Sequence, residues 1–469
     1  MFALFRLNDP YRMLVLLLFL LLMKLPAFYG SVPLTIPELN WMVVGEKLAE
    51  KGTVMYKDVW DPLAPLAAGM YWLLHELFGR SHLAYQIIAL LLIFVQSALF
   101  NYILLRNKVY NENTYVPALI YGLLMCTFFQ FYTLSPALVS TTFVMLTINN
   151  AFNDIEFKGA KNNLFSTGIL MGLASLFYLP SLVLSLALLF AYLLFTGATP
   201  KSYFLFLYGL LMPWLIIIVY YFWHDALFHF YINCIYSLLY LDNVSYISYS
   251  LLITIIGLPL VILILSFFKL FDAKRFNNYQ ERFQQTMFFI FIMALVAWWI
   301  SHSRTPALLV LFVPVVAFFI SHFFLLIRKR FITEISFLLF FIGILTIHFS
   351  TLFQWNSVAP WLNYEKLIVQ DTPWDGLVAN KKILYLGDDL SVYKSAALAT
   401  PYLSWELASL QLTSPDYYDN LMSIFEAFHE DSPEVIIDTK GIMNDLFAKM
   451  PTIAAQYKEG NEEGVFIKE

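Results

Sequence analysis

Apolar runs close to the ~20 residues needed to cross a bilayer recur along most of this chain. They fall at roughly 12–30, 82–105, 114–133, 136–152, 164–178, 180–197, 203–222, 248–268, 286–301, 305–327 and 334–353. Read together they predict about eleven membrane-spanning helices. Three stretches interrupt the pattern. Ser31–Ser81 is polar and acidic, and His224–Ser248 is rich in Tyr and Phe. From about Gln354 the apolar runs shorten to strand length.

Within the first stretch, Thr35-Ile36-Pro37-Glu38 has the form of a capping box with Pro in the first helical turn. The helix it opens, to about Lys51, sets Trp41, Met42, Val44 and Leu48 against Glu46, Lys47, Glu50 and Lys51. That pattern predicts a helix lying in the membrane interface with a wet charged face. Gly52 is placed to end it, and a second short helix is expected over Leu66–Leu77. His224–Ser248 is a candidate lid or interfacial helix.

In the tail, Ile383–Leu386 and Val435–Asp438 have the apolar character of buried strands. A helical pattern at 416–429 separates them. Ala454–Tyr457 and Val465–Lys468, around Gly460-Asn461, predict a hairpin. The expected organisation is a membrane domain over 1–353, carrying the outer first loop 31–81, followed by a small α/β domain over 354–469.

Composition fits this layout: 60% of residues are hydrophobic and 13% charged, about half the charged fraction usual for soluble domains. The net charge of −5 gives no sign of a nucleic-acid partner. Arg6, Arg12, Arg106, Lys108, Lys158, Lys161, Lys201, Lys269, Lys274, Arg275, Arg282, Arg328, Lys329 and Arg330 fall in alternate loops on one side. The other side of the membrane part holds only Lys24, Lys47, Lys51, Lys57, Arg80 and Arg304. The positive-inside rule then puts the N-terminus in the cytoplasm, and the first loop and the tail outside. In a bacterium this is a multi-pass inner-membrane protein with a periplasmic C-terminal domain. The long first apolar run lacks a small-residue cleavage pattern and is expected to be retained. Cys126 and Cys234 have no pairing or metal-ligand spacing.

The chemistry-bearing residues gather in two places. The first loop concentrates Glu38, Glu46, Glu50, Asp58 and Asp61 in an otherwise acid-poor chain. Asp58 and Asp61 flank Trp60 just before a Pro-marked turn. Glu38, at a helix N-terminus, serves either as a cap or as a reacting carboxylate. Glu46 and Glu50 read as a solvated helix face. At the outer end of a span, Trp298-Trp299-Ile300-Ser301-His302-Ser303-Arg304 puts an Arg in an aromatic belt. Such a guanidinium either snorkels to headgroups or grips a phosphate. Scattered His75, His322 and His348 have no metal-ligand spacing. Gly387-Asp388-Asp389 lacks a nucleotide fingerprint and reads as a turn.

This order of elements resembles the GT-C superfamily of membrane glycosyltransferases, which includes the protein O-mannosyltransferases and the aminoarabinose transferase of lipid A. The matching stretches are Pro37-Glu38-Leu39-Asn40, Tyr56-Lys57-Asp58-Val59-Trp60-Asp61, Ala64-Pro65-Leu66 and the run Ser303–Pro314. The resemblance implies transfer of a sugar from a polyprenyl-phosphate donor in the membrane to a glycan, lipid or protein acceptor. Asp58, Asp61 and Glu38 would be the catalytic acids, and Arg304, His302 and Lys57 would hold the donor phosphate. No metal site is implied, although a divalent ion bridging Asp58 or Asp61 to that phosphate would be compatible. The family's acid pair is Asp then Glu, and the first position here is Pro37. The loop Thr133–Pro136 also lacks the acid often found there. These departures leave open a second reading, a catalytically silent scaffold or binding subunit of an envelope complex. A transporter is the weakest reading, since mid-span charges are nearly absent and no pseudo-symmetry shows. The sequence does not locate a groove for the prenyl chain.

Overall fold

The computed structural model describes residues 2–29, 32–156, 163–241, 244–272, 276–353, 362, 364–460 and 462–469. Lys158, Lys161, Lys274, Arg275 and Asn461 therefore lie outside the described residues. The chain forms two compact units, each discontinuous in sequence.

The first unit comprises Met1–Pro33, His82–Ile216 and Asn243–Lys366. Every apolar run expected to span the membrane contains helix. Six helices among the described residues are long and apolar enough to cross a bilayer by length and composition: His82–Arg106, Pro200–Trp223, Tyr249–Phe271, Asn278–Ile300, Pro306–Leu326 and Arg330–Phe353. Tyr11–Phe28 is also helical. Shorter apolar helices fill the remaining positions, including Val116–Met125 and Leu164–Phe177. Along Pro200–Trp223, Leu207, Leu211, Leu215, Val219 and Phe222 are exposed. A row of exposed apolar residues at helical spacing suits lipid rather than water. The chain is a multi-pass α-helical membrane protein.

The expected span 114–133 departs from a full helix. Val116–Met125 has only 10 residues, about 15 Å at the α-helical rise. The chain then turns through a tight helical segment, Phe129–Tyr132. This turn is buried, and so are Thr133 and Ser135 after it. Its polar groups are satisfied internally: Thr133 N and Oγ1 both donate to Gln130 O, and the Gln130 side chain accepts from Ala307 N at 3.1 Å. Irregular backbone at such depth requires that kind of satisfaction. A short parallel pairing of β1 (Val244–Ser245) with β2 (Ser303–Arg304) also belongs to this unit.

The second unit joins Leu34–Ser81, Ile217–Asp242 and Leu367–Glu469. Five strands follow in chain order: β3 (Lys382–Leu386), β4 (Ala397–Leu398), β5 (Val435–Asp438), β6 (Tyr457–Glu459) and β7 (Val465–Lys468). They form one mixed sheet in the order β4-β3-β5-β7-β6. The β3–β4 and β3–β5 pairs are parallel, and β7 runs antiparallel to both β5 and β6. The helix Tyr418–Glu430 stands where the helical pattern predicts it. The hairpin begins later than expected. Pro451 starts a short helix over Pro451–Ala454, because its fixed φ suits a first helical turn, so the strand opens only at Tyr457.

The sequence assigns residues 31–81 to the membrane domain, with the first helix in the membrane interface. In the fold, 34–81 belong to the same compact unit as the C-terminal α/β segment. Trp60 of the first loop sits in the α/β core with Leu384, Tyr402 and Ile436, and Ile232 packs against the same cluster. Leu34 O accepts a 3.0 Å hydrogen bond from Val369 N. The expected wet face of the first helix is only partly wet: Glu46 and Glu50 are half-buried and Lys51 exposed, whereas Lys47 is only 4% exposed and pairs with both Glu50 and Asp431. Glu46 pairs with Arg80. Charged positions at helical spacing here mark an interface satisfied by partners far along the chain rather than a solvated surface.

Candidate functional site

The first-loop helix, Ile36–Ala49, begins as its sequence dictates. Thr35 is the N-cap in extended backbone, and Glu38 completes the capping box. Glu38 Oε2 accepts from Thr35 N at 3.1 Å and from Thr35 Oγ1 at 2.8 Å. Glu38 is 5% exposed, and capping takes up part of its acceptor capacity. Pro37 occupies the first helical turn and is buried. This helix packs on the next one, Pro65–Phe78, closely enough that a Cβ at Gly45 would lie 2.5 Å from Tyr71 O. Gly45 permits that approach, and Trp41 stacks on Tyr71 beside it.

Between the two helices lies a tight turn built around Tyr56, whose φ is +73. A left-handed conformation at a non-glycine residue costs about 1–2 kcal/mol. It is held because Tyr56 is fully buried, its hydroxyl donates to Leu63 O at 2.6 Å, and its ring packs on Tyr221 and Phe230. The turn sets the two acids differently. Asp61 is 3% exposed; Oδ2 accepts from Asn40 Nδ2 at 2.7 Å and Oδ1 from Leu63 N at 2.8 Å. Asp58 is half-buried and Lys57 exposed. Asp58 Oδ2 accepts from Val54 N at 2.6 Å. Its other oxygen accepts no hydrogen bond among the described residues, so Asp58 keeps an oxygen open to a ligand where Asp61 has both engaged.

One residue beside this turn escapes sequence reasoning. His229 lies in the helical stretch Leu227–Tyr240, within the candidate lid, and its ring centroid is 6.0 Å from that of Trp60. Its Nδ1 is buried without a hydrogen-bond partner among the described residues. Burial pushes the imidazole pKa below its ordinary value; the charge of Lys57 adds to this and Asp58 opposes it. Its only sequence signal is that it is one of two His, with His224, in a Tyr- and Phe-rich segment.

In the first unit, Arg304 lies in β2, with its carbonyl accepting from Tyr246 N at 3.0 Å. The guanidinium stands over Trp298 and Trp299, at 5.6 and 5.0 Å from their centroids, and Nη2 donates to Trp299 O at 3.0 Å. These contacts hold the cation at the end of its span by cation–π attraction. The carbonyl of His302, two residues away, accepts from Val244 N at 2.9 Å. An apolar groove, which no stretch of sequence reveals, lies beside Trp298. It is a cavity of about 310 Å³ lined by Trp298, Leu309, Phe312, Ile256, Phe131 and neighbouring apolar residues. Thr127 is the one hydroxyl residue in its lining.

Lys24 has the pattern of an outer loop charge, yet it is 2% exposed. Its Nζ donates to Tyr132 O at 3.3 Å and lies 4.5 Å above the Tyr132 ring. Tyr132 adjoins the cavity-lining Phe131. The Gln130–Ala307 hydrogen bond ties that turn to the segment immediately after Arg304. Arg304 thus stands over a ring that lines the apolar cavity, and Lys24 over a ring one residue along the chain from another lining residue, Phe131. A buried Lys in a membrane protein is expensive and marks a site.

Arg80, by contrast, is structural: it pairs with Glu46 and donates to Tyr393 O and Ala396 O at 2.7 and 2.9 Å. His348 bonds Met23 O at 3.3 Å. Among the described residues no three His, Cys, Asp or Glu side chains are grouped to hold a metal ion.

No family model matches the chain, and no curated protein matches its sequence. Among solved structures it is similar to ArnT from Cupriavidus metallidurans bound to undecaprenyl phosphate. That likeness has a TM-score of 0.56 at 13% identity and covers 98% of each chain. It is also similar to the oligosaccharyltransferase AglB from Archaeoglobus fulgidus, in complex with an inhibitory peptide and a dolichol-phosphate. There the TM-score is 0.49 at 10% identity, over 98% of this chain and 74% of the other. At such identity the likeness to ArnT is one of fold, and it runs the length of both molecules: this chain has the fold of ArnT.

Proposed function

We propose that this protein is an inverting GT-C-type glycosyltransferase. It moves a sugar from a polyprenyl-phosphate-linked donor to a glycan, lipid or protein acceptor at the periplasmic face of a bacterial inner membrane. The observation that carries the reading is the apolar cavity lined by Trp298, over whose ring the Arg304 guanidinium stands. A prenyl chain needs dry walls, and its phosphate needs cations at the mouth. The ArnT structure of the same fold holds undecaprenyl phosphate, which supports a ligand of that class. The excess of Lys and Arg on the opposite side supports the periplasmic assignment.

In this reading the acceptor hydroxyl attacks the anomeric carbon of the sugar as its bond to the phosphate oxygen breaks. The leaving group is the polyprenyl phosphate, whose added charge is met by Arg304 and Lys24, with His302 and Lys57 as further contacts. The hydroxyl proton passes to a first-loop carboxylate. Asp58 is the first choice, having an oxygen unengaged; Asp61 and Glu38 follow, with more of their lone pairs committed.

The test is transfer from a polyprenyl-phosphate sugar by the full chain in lipid nanodiscs. Asp58→Asn should lower kcat about 10²–10⁴-fold, the usual worth of a positioned base. Arg304→Gln should raise KM for the donor and also lower kcat, because the phosphate it meets gains charge in the transition state. Full activity in Asp58→Asn, Asp61→Asn and Glu38→Gln alike would remove the assigned acids. A second reading, a scaffold that has lost catalysis, is favoured by one observation: Pro37 stands where the family's first acid is expected. It requires that the wild-type chain turn over no carrier-linked sugar and co-purify with a stoichiometric partner.

A further inference from the structure

A second cavity, of about 970 Å³, lies in the first unit at the other end of the helix that follows Arg304. That helix, Pro306–Leu326, has 21 residues, the first seven wound as 3-10 helix, which together carry the chain roughly 35 Å. The cavity and the Arg304 turn are therefore separated by one bilayer thickness.

Its walls combine three features. Arg6, Lys269, Arg328 and Lys329 bring four cations to it, against one acid, Glu112. Glu112 is already engaged, accepting from Arg6 Nε at 2.7 Å. Lys269, Arg328 and Lys329 are exposed, and none has a carboxylate partner among the described residues. The second feature is His322, which lines the cavity and is only 2% exposed. Its Nε2 has no hydrogen-bond partner among the described residues. The ring is fixed between Tyr110 and Phe276, at centroid distances of 4.5 and 5.6 Å, so the orphan nitrogen cannot readily swing away. A buried polar nitrogen left without a partner is costly and calls for an occupant. Third, Phe323, Leu326 and Ile332 make the rest of the wall apolar.

We propose that this cavity binds a phosphate anion carried by an anionic glycerophospholipid. Lys269, Arg328 and Lys329 would neutralise the charge, and the His322 ring would donate one hydrogen bond to a phosphate oxygen. Basic pockets between membrane helices on the Lys- and Arg-rich side take such headgroups. A soluble phosphate would satisfy the same cations; the apolar wall favours the lipid, whose glycerol and first methylenes it would cover. This assignment does not depend on the transferase reading, since it uses none of the same residues.

The experiment is native mass spectrometry of the detergent-solubilised full chain with added phosphatidylglycerol, phosphatidylethanolamine or inorganic phosphate. Phosphatidylglycerol should be retained in preference to phosphatidylethanolamine. The triple variant Lys269→Gln, Arg328→Gln, Lys329→Gln should bind it about a hundredfold more weakly, as three near-surface cations imply. His322→Phe should weaken it about tenfold, the worth of one charge-assisted hydrogen bond. Arg106→Gln, which changes an exposed cation that does not line the cavity, should leave it unchanged. If inorganic phosphate binds with the same sensitivity to these variants and displaces the lipid, the anion site stands and its natural source is soluble. Equal retention of phosphatidylglycerol by the wild type and the triple variant, or equal retention of both lipids by the wild type, overturns the proposal.

Discussion

The Asp61 carboxylate accepts a 2.7 Å hydrogen bond from the Asn40 amide, which ties the acidic turn of the first loop back to the helix before it. Asn40→Ala would remove that donor from a carboxylate in a residue 3% exposed. An under-satisfied buried acceptor costs about 1–3 kcal/mol. The variant should melt earlier in detergent, and transfer should fall with it because the Asp58 turn loses an anchor. An unchanged melting temperature would show that Asp61 recovers a partner at no cost.

Gly45 allows the two first-loop helices to touch, and Gly45→Ala tests how much depends on that contact. The added Cβ would meet the Tyr71 backbone at 2.5 Å, and backbone cannot rotate aside as a side chain can. Overpacking of this kind costs about 1–3 kcal/mol. Gly69, with open space around its would-be Cβ, is the control: Gly69→Ala should be neutral or slightly stabilising, because alanine is the better helix former. Comparable melting of the two variants would disprove the close-approach argument.

Much of this arrangement is visible in the letters, because local rules govern it. Thr35 and Glu38 are three residues apart and form the capping box their spacing announces. Likewise β3 and β5 appear as apolar runs bounded by turn residues. What the sequence conceals is set by distance along the chain. Lys47 has the pattern of a solvated helix position, but its partner Asp431 is 384 residues away. Lys24 resembles a flanking loop charge, and only the fold brings Tyr132 beneath it. His229 carries no motif, and its meaning depends on Trp60, which no local rule places nearby. The 310 Å³ cavity is drawn from residues on several helices, each ordinary for a membrane span.

The Lys47–Asp431 contact makes acid stability predictable in sign. Burial alone would raise the Asp431 pKa; hydrogen bonds and charge from Lys47 and Lys382 outweigh it, leaving the carboxyl below its usual value of 3.8. A depressed carboxylate contributes stability above its unfolded pKa and loses it as pH falls through the folded value. Asp431→Asn should therefore cost about 1–2 kcal/mol near neutrality, a buried-pair figure reduced because the group is partly exposed. The cost should shrink toward zero as pH falls through the lowered folded value. Melting curves of both proteins across that range decide it; parallel curves at every pH would show that the carboxylate's charge is not what stabilises.

His229 should act at a higher pH. Its folded-state pKa is depressed below 6.5, so on acidification the unfolded chain takes up the proton first. Stability from the neutral ring is complete above the unfolded pKa and is lost as pH falls from there to the lower folded value. His229→Gln should flatten the stability profile in that window. Lys57→Gln removes a charge that lowers the His229 pKa, so the folded value rises toward the unfolded one. The acid loss should then be smaller and should end at a higher pH. Thermal melts in a buffer series of constant ionic strength read both effects; a wild-type profile flat across the window would contradict the burial of the ring.

The apolar cavity gives the most direct separation of carrier binding from chemistry. Ile256 lines it from a helix, Tyr249–Asp272, that contributes no proposed reacting group. Ile256→Trp should occupy part of the 310 Å³ and exclude prenyl units from it. Donors with long chains should then show a raised KM with kcat nearly unchanged, since the lost interaction is shared by ground and transition states. A donor with a chain too short to enter should be used equally well by both proteins. Arg304→Gln should penalise both donors alike, because it faces the phosphate they share. If Ile256→Trp slows long and short donors equally, the cavity does not hold the carrier chain.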